Sequence, residues 1–397
     1  MSVTTLPNRI AKRISNDTFY FLVNRLSFND DLRPLGVQKV PRTSSASVKY
    51  FELGPPQRST LNVDETFMNL WSPYMKPVVS YQTDGDFMLT LQNGRIFCAD
   101  PNNIAVISED NYVLEEVSFQ WANYALSDVR TNRVFDVKGF PSPKKYRGRV
   151  FSLLSGWAAK NYYYHWVFEA IPKLHLLKAS GEFDKVDYFL IPGMAFRYQR
   201  DYLAHFGITP DKIINEDDVH HIQADELMVT SHVKLFDHHP QWICDFLYNS
   251  LAGNIRKQPG EKLVYVARGD AARSRRVENE LELIEMLKGY GFEAYYLSKL
   301  SLQEQVELFN SARVVVGAHG GGLSNYVYCR PGTKVLEFYP DQYIRPIFLD
   351  VAEKRGLDYH YQVFSATGKA ENTIQGEALG VIPDVEAIRS KVVELLA

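Results

Sequence analysis

The chain has 397 residues and a net charge of -3, which excludes a single small core and gives no footing for a polyanion such as nucleic acid. With 45% hydrophobic and 23% charged residues the composition is that of a soluble globular protein. Its 13% aromatic share, carried mostly by 24 Tyr and 23 Phe, suits a sugar site and a core rim equally well.

Three cysteines, Cys98, Cys244 and Cys329, lie far apart without a C-x-x-C pair. A disulfide framework and a zinc site are therefore not expected, and a reducing, cytoplasmic compartment fits. No stretch at the N-terminus sustains an apolar signal core, and no run approaches a membrane span. Residues 10–26 have the pattern of a basic amphipathic helix. A plain surface helix is the commoner use of that pattern; peripheral contact with the inner membrane face is the other.

Residues 1–60 are irregular. From Pro77 to Phe119, short alternating runs are punctuated by Asp84-Gly85, Asn93-Gly94 and Asp110-Asn111, which predicts an antiparallel meander. Pro141, Pro143 and the basic run from Lys144 to Arg149 mark a boundary. Strands and helices then alternate: strands at 149–154 and 187–192, helices at 162–178 and 196–206, more strands in KIIN and ELMVT, and a helix at 241–255. Lys257, Pro259 and Gly260 form a polar break. The last third repeats the rhythm, with an S-x-x-E capping box at Ser301 and Glu304. The expected fold class is α/β, with parallel, doubly wound sheets. The expected domains are residues 1–145 (N-terminal, β-rich), 146–258 and 259–397, the last two facing a cleft.

The stretch RVVVGAHGGGLSN, Arg313 to Asn325, reads as a buried strand that breaks into a glycine turn and reopens as a helix. Backbone N–H groups and the helix dipole at such a strand end suit a phosphate. A tight turn requiring small residues is the competing account of Gly320, Gly321 and Gly322. Neither a Rossmann fingerprint nor a P-loop spacing is present, which disfavours a nicotinamide-dependent oxidoreductase.

Arg268 ends the strand KLVYVAR, and the loop after it adds Arg273, Arg275 and Arg276. A strand-end arginine beside a glycine cradle suits a diphosphate clamp; a solvated basic loop accounts equally for Arg273 and Arg276. His319, inside the turn, either donates to a phosphate or fixes the loop. Glu337, in the apolar strand TKVLEFY, needs a partner, either a ribose hydroxyl or an internal salt bridge. In the helix from Tyr162, Val167, Ala170, Ile171, Leu174 and Leu177 gather on one face, while His165 and Glu169 sit one turn apart on the other. By pattern alone this is an exposed pair on a surface helix; the helix's place beside the cleft points instead to a base and its orienter. Either the histidine or the glutamate takes the proton.

The segments NYYYHWVFEAIPKLHLL, YVARGDAARSRRVENELELIEMLKGYGFE and LSLQEQVELFNSARVVVGAHGGGLSNYVYCRPGTKVLEFYP, with the meander before them, resemble glycosyltransferase family 61. This is the family of the EGF-domain O-GlcNAc transferases and the plant xylosyl- and arabinosyltransferases. The resemblance covers about residues 80–350. It implies a GT-B fold of two Rossmann-like domains and inversion at the anomeric carbon. It also implies no metal, and a nucleotide-sugar donor, by family habit a UDP-sugar, with a glycan or lipid-linked glycan acceptor. By position, Arg268, Arg275, His319 to Gly322, Asn325 and Glu337 fall on the donor side, and His165 and Glu169 on the acceptor side. Few cysteines and no signal anchor set the chain apart from secreted eukaryotic members. They point to a bacterial-type enzyme of capsule, lipopolysaccharide or exopolysaccharide synthesis. A nucleotide-binding regulatory or scaffold protein, retaining the cradle without turnover, is the alternative.

Overall fold

The computed structural model describes residues 30–72, 77–122, 125–137, 141–156, 162–234, 236–255, 260–269 and 275–397. The amphipathic segment 10–26 and Arg273 lie outside them. Among the described residues no helix is long and apolar enough to cross a membrane.

Two large sheets carry the architecture. In the first, of 12 strands, His221–Thr230, Lys144–Ser152, Tyr188–Ile191 and Ile213–Asn215 run parallel in that order. The meander expected at 77–119 forms, and Gly85, Asn93 and Asn111 take the positive φ that its turns demand. It does not stand apart from the α/β rhythm. Asp86–Gln92 and Arg95–Asp100 both pair antiparallel with His221–Thr230, so one sheet runs across residue 145.

The second sheet has six strands. Glu293–Tyr295, Lys262–Val266, Ala312–Ala318, Lys334–Pro340 and Asp358–Ala366 are parallel neighbours in that order, and Val381–Ile382 closes the edge antiparallel. Val315 faces one apolar cluster, and Val314 with Val316 the other, so the central strand is buried on both faces. The Ser301–Glu304 capping box starts the helix Leu302–Asn310 as its spacing predicts. The helix Thr373–Ala378, without a strong apolar period, was not foreseen.

The long helix expected at 162–178 is broken. Tyr163–His165 is α-helical, Trp166–Ala170 forms a π turn, and Lys173–Ala179 resumes the α-helix. The cause is Pro172. It has no N–H to give Phe168, and its ring crowds that carbonyl, so the chain widens to a bond from Ile171 N–H to the Trp166 carbonyl at 3.0 Å.

Lys257 and Pro259 of the polar break lie outside the described residues, but the two sheets share packing. One apolar cluster contains Trp166, Phe168 and Leu177 together with Leu323, Tyr328 and Phe348. Polar groups are paired across the same joint. The Tyr163 hydroxyl donates to Asn325 Oδ1 at 3.0 Å, and the Tyr164 hydroxyl bonds His239 Nε2 at 2.9 Å. Asp350 Oδ2 then accepts both the backbone N–H (2.8 Å) and Nδ1–H (2.7 Å) of His239. Lys354 Nζ reaches Asp350 Oδ1 at 2.6 Å. Burial pushes the Asp350 carboxyl up, but these donors outweigh it and hold the group below its usual range.

Asp350→Ala strands the buried donors of His239 and leaves the Lys354 ammonium unpaired. A loss of about 3–5 kcal/mol in unfolding free energy is expected by denaturant titration. A change below about 1 kcal/mol would show that this network does not hold the joint.

Candidate active site

A cavity of about 240 Å³ opens between the sheets, where the carboxyl ends of several strands converge. Ser155 follows Lys144–Ser152, Lys234 follows His221–Thr230, His319 to Gly321 follow Ala312–Ala318, and Tyr343 and Arg345 follow Lys334–Pro340. The π-helical segment adds Tyr164, His165 and Glu169. The meander supplies an apolar wall of Phe119, Trp121 and Leu126.

His165 and Glu169 meet as their spacing predicts, with Nδ1 and Oε1 2.7 Å apart. Lys234 Nζ lies 3.4 Å from the same oxygen. Burial alone would push the Glu169 carboxyl up. His165 and Lys234 together outweigh it and bring the carboxyl down to about 2. Glu169 is therefore ionised and accepts the Nδ1–H of His165, which leaves Nε2 as the ring nitrogen not engaged by the carboxylate.

The second pair is tuned the other way. His319 Nδ1 and Glu337 Oε1 are 2.5 Å apart in a fully buried setting. Burial pushes Glu337 up to about 8, against the opposing pull of Tyr359, Tyr339 and Arg275. Burial, with the cations Arg275, Arg345 and Arg268, pushes His319 well down. At neutral pH the carboxyl keeps its proton and donates it to Nδ1, so Nε2 carries the N–H. The Tyr359 hydroxyl satisfies the other carboxyl oxygen at 2.6 Å.

The remaining expected residues divide. Gly320, Gly321 and Arg275 line the cavity. Gly322 packs against Leu297 and Val266. Asn325 spans the joint, donating to the Gly322 carbonyl at 3.0 Å and Gln305 Oε1 at 3.2 Å. Glu337 is completely buried behind His319, so the ribose contact considered for it is replaced by an internal pairing. Arg268 sits behind the turn. Its Nε donates to the Arg275 carbonyl at 2.8 Å, and a side chain on Gly320 would collide with its guanidinium. Arg276 is exposed.

Among the described residues of that loop, Arg275 is the arginine that lines the cavity. It holds φ at +68°, an uncommon backbone state for a side-chain-bearing residue. Its guanidinium lies over the Tyr343 ring at 5.4 Å, and its Nε has no hydrogen-bond partner among the described residues. Lys234, Arg345 and Asp237 were missed. Lys234 and Arg345 each follow a strand end, the signal that drew attention to Arg268. Arg345 is held by Asp237, with Nε to Oδ2 at 3.1 Å.

The fold and site define an α/β protein with an interfacial cavity that has a carboxylate–imidazole pair on each side. The family model described as Glycosyltransferase 61 matches residues 163–336. An 83-residue stretch is 36% identical to a β-1,2-xylosyltransferase of Arabidopsis thaliana, covering 21% of this chain and 15% of the relative. A β-1,2-xylosyltransferase of Oryza sativa subsp. japonica is 32% identical over 93 residues, 21% of this chain and 17% of its own length. A xylan glycosyltransferase of Arabidopsis thaliana is 28% identical over 93 residues, 22% of this chain and 19% of its own. The matched stretches thus span less than a fifth of these relatives.

The buried pair sets a pH dependence. Glu337, raised from 4.5 to about 8, keeps a proton in the folded state that the unfolded chain releases. Its stabilising effect is complete below the unfolded value and is lost as pH rises through about 8. His319, lowered from 6.5, acts oppositely only below 6.5. Between pH 6.5 and 8 the wild type should therefore lose stability relative to Glu337→Gln, which keeps the shape and cannot titrate. Denaturant melts of both proteins across that window test it; parallel pH curves would contradict the assignment.

Proposed function

We propose that the protein is an inverting, metal-independent glycosyltransferase. It moves a sugar from a nucleotide-sugar, by family habit a UDP-sugar, to a hydroxyl of a glycan or lipid-linked glycan. The layout is read as GT-B: residues 146–258 on the acceptor side, 259–397 on the donor side, and 1–145 an added β-rich region. Polysaccharide synthesis is the setting. The observation that carries this reading is that the His165–Glu169 pair and the His319–Gly321 turn, from opposite halves, line one cavity.

The chemistry follows from the protonation of the two pairs. His165 Nε2 takes the proton of the acceptor hydroxyl while Glu169 holds the ring and stabilises the imidazolium. The acceptor oxygen forms its bond to C1 as the bond from C1 to the diphosphate oxygen breaks, and the nucleoside diphosphate leaves with the electron pair. Its charge meets the Nε2–H of His319, the backbone at the start of the 3-10 helix Gly321–Tyr328, and the cations Arg275 and Arg345. Glu169, its carboxyl lowered by its charged neighbours, serves to hold the ring. The lowered Glu169 carboxyl supports the reading of His165 as the base of the two candidates.

A donor-hydrolysis screen across nucleotide sugars identifies the donor. With that donor, His165→Asn and Glu169→Gln should lower kcat by about 10²–10⁴-fold with UDP affinity near wild type. Arg275→Ala should weaken UDP binding and turnover together. Transfer at wild-type rate in both acceptor-side variants would remove the base from this helix. Activity should survive EDTA, because arginine cations face the leaving group; loss of turnover restored by manganese would overturn the metal-free reading.

A further inference from the structure

The apolar wall of the cavity belongs to the strand Phe119–Ala122, which the transfer chemistry does not use. Phe119 and Trp121 alternate along it, and their rings lie parallel within 2° at 6.2 Å. Trp121 lines the main cavity and also a second one of about 550 Å³ on the same sheet. The second cavity has a different chemistry. Asp100, Asn102, Gln120 and Asp136 line it beside Arg133, whose guanidinium is paired with Asp100 at 3.0 Å, so its surface is rich in acceptor oxygens. Gln120 is only 6% exposed, yet its Oε1, like Asn102 Oδ1, has no hydrogen-bond partner among the described residues.

We propose that this second cavity is a distal subsite for a neutral oligosaccharide acceptor, with Trp121 as the shelf between it and the transfer site. This rests on the glycosyltransferase reading above. Amide oxygens in want of donors match the hydroxyls of a sugar, and with Arg133 already paired to Asp100 the carboxylates disfavour a phosphate, so the donor nucleotide does not fit here. An aromatic face beside such oxygens matches a pyranose, whose C–H face is apolar and whose edge is polar. An acceptor threaded past Trp121 places its terminal hydroxyl beside His165 and its inner units in the second cavity. The enzyme then prefers chains of several units to single sugars.

The test is calorimetry of the full chain with UDP present, using xylo-, cello- and manno-oligosaccharides of two to six units. In at least one series, affinity should rise tenfold or more with length. Trp121→Ala should abolish that rise. Asp136→Ala, at an exposed position where folding is not at risk, should cut it at least threefold. UDP affinity measured on the same samples reports the donor half separately. If UDP binds and no series gains affinity with length, or if the gain persists in both variants, the distal subsite is wrong while the donor reading stands. If UDP fails to bind while the length dependence and its loss in the variants hold, the subsite stands and the transferase reading falls.

Discussion

The packing of the Tyr163–Ala179 segment beneath the glycine turn is the constraint from which the site follows. Gly321 brings its backbone to where an added Cβ would lie 4.0 Å from Tyr163 Cβ and from the Tyr164 backbone nitrogen. Tyr163 then reaches across the joint to Asn325, and Tyr164 holds His239, whose backbone and ring N–H groups both reach across to Asp350. Each hydroxyl would cost a few kcal/mol if buried without a partner, so the two halves are held in one mutual orientation. With the joint fixed, His165 and Glu169 can face His319 across a single cavity.

The π turn belongs to the same constraint. Widening by one residue at Pro172 shifts the phase of the helix, so Trp166, Val167, Phe168 and Ala170 are all buried while Glu169 still lines the cavity.

Local patterns made much of this legible. The buried valine strand, the glycine turn, the Ser301 cap, the positive-φ hairpin turns and the i,i+4 His165–Glu169 pair are all properties of short windows, and each stands where its window puts it. What was illegible depends on contacts distant in sequence. No window shows that Arg95–Asp100 pairs with His221–Thr230 and fuses the meander to the α/β sheet. Arg268 and Arg275 have the same local credentials. Which one enters the cavity is decided by Gly320 packing on one guanidinium and by the left-handed backbone at the other. Glu337 read correctly as a buried carboxylate needing a partner, but the partner comes from the neighbouring strand end and from Tyr359.

The two carboxylate–imidazole pairs use the same side chains and reach opposite states, and the difference lies in their surroundings. Glu169 is buried as well, but His165 and Lys234, the latter 3.4 Å away, outweigh the burial, so it ionises and orders its histidine as a proton acceptor. Glu337 has tyrosine hydroxyls for neighbours and no exposure, so it stays protonated and orders its histidine as a donor. A displacement needs one group that accepts a proton and another that stabilises negative charge on the far side of the reacting carbon. Environments that drive two like pairs apart supply both at one pH. On the proposed reading, direction is therefore built into the cleft: the hydroxyl is activated on the Lys234 side, and the diphosphate leaves on the Arg275 side.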